Sequence, residues 1–474
     1  MLSTILLTVS AYQPSPSLEL RPNHLPKPGI YAARVNGDHA AWSVRGSNFT
    51  IDLAGRTLAG SAALNGRQDA YEGIGLLLTG CSNVTVKNAH IGGFQFNLVM
   101  RDCKNVRIID CTLNESRAIR MGRSGKAIDT FLNLRDLKAW RTYGAGVWAE
   151  RCDTCRIERC STSQAQNGIL LVDSRLCTVT NNMCSYNGGW GIGIWNGIRN
   201  DVFWNHADFC NRPWAGNWGG DAAGIVVVNG SRLNGFIANS ITHGGDGFFL
   251  TDRVNGGYDS QNKTYKIEGS SDRNMVAYND GSWSSNNAFE GTFSSSNIYF
   301  KNIANDSNYG FWLGFSTQAF VVQNEILRNR TDGVAIGQGK GNTVFRNQLV
   351  GNGGVAVHIW SDAGPVEADQ PSDMNTVIQN RIERSRLGVS LERSTNFRIL
   401  GNTFVNAPLP QGVEVASPTF AQTQLLAGWF QRKDANRANR IYGLRPPGWR
   451  FYRDSGAPTG SGAVKIGDYC PARR

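Results

Sequence analysis

Two short stretches carry a concentration of ionisable side chains. Residues 242–252 read Thr-His-Gly-Gly-Asp-Gly-Phe-Phe-Leu-Thr-Asp, which places His243 and Asp246 in a glycine turn and Asp252 just past an apolar run. Residues 287–292 read Asn-Ala-Phe-Glu-Gly-Thr, with Glu290 near the start of a similar run. If the two runs are adjacent strands, Asp246 and Glu290 have α-carbons on the order of 11 Å apart. Side chains reaching toward each other then approach the spacing used in glycoside hydrolysis, where one carboxyl is the acid and the other the base or nucleophile. Asp252 is the reserve partner, His243 is placed to orient Asp246 or donate to substrate, and Asp221, in the turn before Ile225, is a third acid. Asp246 also fits a plain turn role, in which its side chain satisfies backbone groups. Asp332, in Thr331-Asp332-Gly333, has the same place in another unit. Glu290 has no such turn role, and Gly291 after it is expected to clear space beside it.

Such a patch needs a repeating scaffold, and the sequence contains one. Aligning each small-residue turn with the apolar residue after it gives strand starts at Ile74, Leu98, Val147, Ile169, Ile192, Ile225, Phe248, Phe289, Phe311, Val334, Val357, Val389 and Val413. The spacing is 22 from Val147 to Ile169 and 23 from Ile169 to Ile192, from Ile225 to Phe248 and from Phe311 to Val334. A second apolar strand follows in most units, as in residues 105–109 and 342–345, and an Asn-rich turn usually closes them. The period is too short for the helical repeats, and the spaced leucines of leucine-rich repeats are missing. Gly, Asn, Val and Ile favour turns and strands. The prediction is a coil of short parallel strands, about 22–24 residues per turn.

Side chains alternate along a strand, so if the first residue faces in, the second and fourth face out. The outward row then includes Trp148, Glu150, Trp195, Phe249, Glu290, Trp312, His358 and Trp360. Aromatic planes stack on the apolar faces of sugar rings, so Trp195, Phe249, Trp312, His358 and Trp360, with Asp221, are the expected substrate-binding residues on this face.

This pattern, over roughly residues 48–413, resembles the right-handed parallel β-helix of the pectate-lyase-like superfold, and within it the carbohydrate-binding and sugar-hydrolase repeat group that includes NosD-like periplasmic proteins. The resemblance implies an all-β solenoid acting on or binding glycans. The superfold hosts hydrolases, lyases, epimerases and non-catalytic proteins, so the chemistry must be argued from the site.

The organisation expected is a possible signal peptide over 1–11, a proline-bearing lead-in and N-terminal cap over 12–46, the β-helix over 47–413, and a C-terminal cap and tail over 414–474. The apolar start, ending Val-Ser-Ala, lacks the usual basic residues of a signal peptide. No stretch is long enough to span a bilayer, and secretion or a periplasmic location is expected. Three units are long: 33 residues from Ile192 to Ile225, 41 from Phe248 to Phe289 and 32 from Val357 to Val389. The first two carry Trp214, Trp218, Tyr258 and Tyr265 and are placed to wall a groove.

Net charge is +11, from 48 Lys and Arg against 37 Asp and Glu. This is consistent either with an acidic partner or with a basic solvated surface. No base-reading motif is present, so nucleic acid is not expected. Of the ten cysteines, Cys470 stands alone in the tail, and several others fall near one period apart: Cys81 to Cys103 and Cys155 to Cys177 are 22, Cys160 to Cys184 is 24 and Cys184 to Cys210 is 26. They read as a core ladder of small apolar residues with neighbours on adjacent coils, and Cys152-Asp153-Thr154-Cys155 lacks the second pair of a zinc site. The low charged fraction, 18%, is expected of a coil that buries a long core and presents Asn, Ser and Thr outside.

The function expected is cleavage of a glycosidic bond in an oligo- or polysaccharide by paired carboxylates, without a redox cofactor or metal. One alternative is a lyase or epimerase on an acidic glycan. There Asp221, Asp246, Asp252 and Glu290 could cage Ca²⁺ and Arg253, Lys263 or Lys266 could serve as base. The other is a glycan-binding or NosD-like protein without catalysis.

Overall fold

The computed structural model describes residues 17–455 apart from 61–66, 120–132, 135, 213–218, 220, 253–257, 260–263, 266–269, 363–371, 412, 414–415 and 418–432. The possible signal peptide, Trp214, Trp218, the proposed bases Arg253, Lys263 and Lys266, and Cys470 lie outside the described residues.

The chain is a right-handed parallel β-helix, as the repeat predicts. One 14-stranded and one 13-stranded sheet run its length, and shorter sheets of 3 and 4 strands form a third side at either end. Every strand pair in these sheets is parallel, and the connections take the right hand that parallel crossovers adopt. In the long sheet, Leu76, Leu98, Val147, Ile169, Ile192, Ile225, Phe248, Phe289, Phe311, Val334, Val357 and Val389 stand in successive rungs. This is the expected register with two differences. Ile74 pairs with Phe96, so Leu76 is the true counterpart of Leu98. Val413 lies in no described strand. The coil also begins early: Leu18–Glu19 pairs with Ala40–Val44, which pairs with Ile74–Thr79. In the 41-residue unit, Tyr258–Asp259 and Thr264–Tyr265 form a small antiparallel hairpin outside the coil.

The corners of the coil are held by columns of identical side chains. Asn182, Asn205, Asn239, Asn279, Asn302, Asn324, Asn347, Asn380 and Asn402 stack in one column. Each Oδ1 accepts from the main-chain amide and most also from the side-chain amide of the previous member. Each Nδ2 also donates to a carbonyl one turn back, as Asn279 does to Phe236 at 2.9 Å. All of these asparagines except the last, Asn402, are buried rather than facing water as expected, because the corner leaves backbone groups that only a side chain can satisfy. A second column runs Asn200, Asn234, Asn274, Asn297.

The cysteine columns are the N-terminal continuations of these. Cys177 donates its amide to Asn200, and Cys160 to Asn182. Cys155 and Cys177 are thiol neighbours, as are Cys81 and Cys103, Cys103 and Cys152, and Cys111 and Cys160. All nine described cysteines are buried. Cys160 and Cys184 are both buried on adjacent coils, close enough for their charges to oppose each other, but two residues out of register. Ser161 pairs with Met183, and Met183 with His206, so the rungs here are 22 and 23 residues apart. A spacing of 24 therefore misses the column, and the thiol of Cys210 instead faces the carbonyl of Cys184 at 3.4 Å.

The outward side of the long sheet divides into two zones. Trp148, Leu170, Val172, Trp195, Val226, Val228 and Phe249 face away from the coil interior, as alternation predicts, but they are buried in a second apolar cluster. Part of the cover is the helix Leu137–Tyr143, capped by Asp136, whose Trp140 lies 4.3 Å from the ring of Trp190 and 5.2 Å from that of Trp195. Gly193 is the outward residue beneath it: a Cβ there would meet the Trp140 ring at 3.0 Å. The helix comes from chain between Leu98 and Val147, which pair directly. From Glu290 onward the outward residues Glu290, Trp312, His358 and Trp360 are partly exposed. The helix Lys433–Gly443 lies against the 13-stranded sheet, where Arg437 pairs with Asp201. Farther along the chain, the indole of Trp449 donates to the Trp204 carbonyl at 2.8 Å.

Candidate active site

Past the covered zone, the first partly exposed outward rung is Asn287–Thr292, next to Asp246–Thr251. Asp246 begins its strand, and its Oδ1 accepts the main-chain amide of Asn287 at 2.9 Å. The Asn287 side chain donates to Glu290 Oε2 at 2.7 Å, and the Thr292 hydroxyl lies 3.5 Å from Oε1. Asn287 thus holds both carboxyls, one with its backbone and one with its side chain. Its own Oδ1 is buried with no hydrogen-bond partner among the described residues.

Burial, first, and then the charge of Asp221 push the Asp246 carboxyl up to about 8. Burial, then the charges of Asp246 and Asp221, push Glu290 well above the usual carboxylate range. Three carboxyls therefore share one patch. Asp246 is 2% exposed and sits at the back of it, whereas Glu290 and Asp221 are partly exposed. Asp246 does perform the backbone-satisfying role that its glycine turn suggested, and Asp332 repeats it by accepting from Val355 at 2.7 Å.

Gly291 does not open space beside Glu290. It faces inward, where the hydroxyl of Tyr299 would lie 2.1 Å from an added Cβ. Gly291 is glycine because a core tyrosine reaches it.

Asp252 and His243 are not in the patch. Asp252 lies six residues beyond Asp246 on an extended strand, roughly 20 Å away. It is fully buried, accepts the amide of Gly230 at 3.0 Å, and is pushed up to about 8 by burial. His243 adopts a left-handed turn conformation and stacks between Phe209, at 4.5 Å, and Trp283, at 5.2 Å. Tyr186 continues that stack on Phe209 at 5.0 Å. Its Nδ1 faces the Thr242 hydroxyl, and burial lowers its pKa against the opposing pull of Asp208. Of the expected aromatic subsites, Trp195 and Phe249 are each 6% exposed and belong to the covered zone. A strand pattern shows which way a side chain points but not what chain elsewhere lies over it.

Beyond Glu290 the open strip continues with Tyr309, Trp312, Asp332, His358, Trp360 and Glu392. Trp312 and Trp360 lie edge to face at 5.4 Å, and Trp312 also meets Tyr309 at 4.9 Å. His358 Nδ1 is 3.0 Å from Asp332 and Nε2 is 3.3 Å from Glu392. Burial works against its charge, but the hydrogen bonds and charges of Asp332 and Glu392 raise its pKa overall. Sequence reading did not anticipate this carboxylate–imidazole–carboxylate array. Its signal was the repeat itself: Asp332 to His358 copies Asp246 to Glu290, an acid at one strand start and a polar residue at the fourth position of the next rung.

Among the described residues no helix is long and apolar enough to cross a membrane. Among solved structures, a mutant of the periplasmic alginate epimerase AlgG is 12% identical over 81% of this chain and 81% of its own, with a TM-score of 0.42. The A-module of Azotobacter vinelandii mannuronan C-5 epimerase AlgE6 is 13% identical over 81% and 90%, with a TM-score of 0.37. Tailspike protein 3 of bacteriophage CBA120 is 13% identical over 84% and 57%, with a TM-score of 0.38. Likeness at this level says nothing of this chain's chemistry. No curated protein matches.

A family model described as periplasmic copper-binding protein (NosD) matches residues 59–206, 129–266 and 256–410. Copper sites are built from thiolate, thioether and imidazole donors. Here the described thiols are buried in core columns, and no three His, Cys, Asp or Glu side chains among the described residues gather to hold a metal ion. His206 and His358 have each turned Nδ1 to a carboxylate, and His243 to a hydroxyl. The described residues do not fit copper. The successive matches together run through nearly all the coils from residue 59 to residue 410, and on that coverage the chain belongs to the NosD family.

Proposed function

We propose that the protein cleaves glycosidic bonds in an oligo- or polysaccharide laid along the open strip, with Glu290 as the acid and Asp221 as the second carboxylate. The observation that carries this reading is the shared patch: Glu290 and Asp246 are held through one asparagine, and the ionisation of each is opposed by its neighbours. Carboxyls coupled in this way titrate as a unit, and a protonated one at neutral pH is what protonation of a leaving oxygen requires. Asp246, at 2% exposure, stands behind Glu290 and keeps its proton on rather than touching substrate. Asp221 and Glu290 are the partly exposed members and take the two catalytic roles. Trp312 and Trp360 supply sugar-stacking planes on one side of Glu290, while Phe249 on the other side is buried, so the chain being cut extends toward the C-terminal rungs.

Glu290→Gln keeps the shape and the contact with Asn287 but removes the transferable proton. On a glycan that the parent cleaves, turnover falls about 10²-fold or more while affinity changes far less. Near-normal turnover removes Glu290 from the chemistry. A second reading has one observation in its favour: the imidazole of His358, fixed by Asp332, is a ready base for lyase or epimerase chemistry. An unsaturated, ultraviolet-absorbing product that disappears in His358→Gln and persists in Glu290→Gln would establish that reading instead.

A further inference from the structure

The covered zone of the outward face ends, toward the N-terminus, in a cleft of about 480 Å³ between the helix Leu137–Tyr143 and the strands Phe96–Arg101 and Ala145–Glu150. It lies five rungs from Glu290, about 24 Å at the spacing of β-strands, and shares no residue with the candidate active site. The volume is that of a small-molecule site. Four cations line it, Arg101, Lys138, Arg141 and Arg151, against two carboxylates, Asp38 and Glu150.

The donors are already arranged for a carboxylate. Glu150, 4% exposed, accepts from Arg141 at 2.7 Å, from Arg151 at 2.6 Å and from the indole of Trp148 at 3.2 Å. Arg151 also grips Asp102 outside the cleft, through two bonds of 2.7 and 3.0 Å. Arg101 has the mostly exposed Asp38 at 3.0 Å and the edge of Glu150 at 3.9 Å, and Lys138 makes no ion pair among the described residues. Guanidinium forks match planar carboxylates. A concave surface with more cationic than anionic groups concentrates anions. Gln95 and Thr142 add polar groups, and Phe96 and Val99 apolar ones, the mixture a sugar ring presents in return.

We propose that this cleft is a binding site for an acidic sugar unit, its carboxylate taken by Arg141, Lys138 and Arg101. The full-length protein is titrated calorimetrically with trigalacturonate, with the neutral trimer of N-acetylglucosamine and with sodium sulfate. Trigalacturonate binds saturably, more weakly at high salt, and about tenfold or more weakly in Lys138→Ala/Arg141→Ala, the scale of one lost hydrogen bond to a charged group. Both side chains are on an exposed helix face, and unchanged circular dichroism verifies the variant's fold; Lys138→Glu alone weakens binding in the same direction. Glu290→Gln leaves this binding intact, which separates the cleft from the catalytic patch. Absence of saturable trigalacturonate binding, equal binding by the double variant, or equal affinity for the neutral trimer or for sulfate overturns the proposal.

Discussion

Asp246 is a carboxyl that should make the protein less stable as it ionises, and Asp246→Asn tests this directly. The group ordinarily titrates near 3.8, and burial with the charge of Asp221 moves it to about 8. Its folded-state value is the raised one, so between these limits the folded chain holds a proton that the unfolded chain has lost. Unfolding free energy then falls as pH rises, by about 1.4 kcal/mol per pH unit for one proton. From pH 5 to pH 8 this amounts to roughly 4 kcal/mol, lost steadily across the window and levelling off above the folded value. Glu290, also raised, adds to the fall in the same direction. Asparagine at 246 keeps an oxygen for the Asn287 amide but cannot ionise. Urea unfolding followed by tryptophan fluorescence at pH 5, 6, 7 and 8 should show the parent losing stability steadily and the variant losing much less, with the variant the more stable protein at pH 8. Infrared difference spectra at pH 6 should show a protonated carboxylic acid in the parent that is weaker in the variant. Identical pH slopes in the two proteins would mean that Asp246 is ionised throughout, and the proton-sharing patch would be gone as an idea.

Gly291→Ala puts a Cβ against the Tyr299 hydroxyl and should destabilise by about 1–3 kcal/mol. Adding Tyr299→Phe removes the obstructing oxygen and should restore most of it in the same denaturation assay. Asn279→Ala cuts the long asparagine column in its middle, leaving Asn239 without its acceptor, Phe236 without a donor and Asn302 with the main-chain amide alone. A loss of about 2 kcal/mol or more is expected, and a loss near zero would mean that water replaces the column. His358 has a raised pKa, so its imidazolium stabilises the fold below pH 6.5 and that contribution vanishes as pH rises through the folded value. His358→Gln should therefore be less stable than the parent at pH 5, by about 1 kcal/mol given the exposed Glu392, and nearly equal at pH 9.

The coil was legible because each rung spends one apolar residue at the same inward position, and the spacing of those residues is the register. Ile74 misled because Leu76, two residues on, is equally apolar and faces the same way. The helix Leu137–Tyr143 was hidden by arithmetic: Leu98 to Val147 is 49 residues, close to two periods, so an excursion looks like one more coil. That excursion supplies part of the cover on the outward face, and its Trp140 turns Trp195 from a subsite into core. Asp246 and Glu290 could be brought together from the sequence because register alone relates them. Asp252 could not be excluded without the length of a strand. His243 could have been placed from Tyr186, Phe209 and Trp283, aromatic residues at matching corners of other coils. The Asn-rich turns are visible in the sequence, but the expected outward placing of asparagine fails because composition does not say that a corner amide bonds to the next corner.

The columns also set the order of hazards when the chain is made. Cysteine occupies the corner columns in the earlier coils and asparagine in the later ones. Before coiling, Cys152, Cys155 and Cys160 lie within nine residues of one another and any pair can meet. In an oxidising compartment the reactive form is the thiolate, and a bridge between the wrong two sulfurs would hold a rung open. Once the coil closes, burial pushes the Cys184 thiol up to about 12 and takes it out of exchange chemistry. In such a compartment the thiol-bearing coils, which come first in the chain, would have to wind before their sulfurs are oxidised. The coils that follow Cys210 contain no cysteine and wind onto the finished template without this competition.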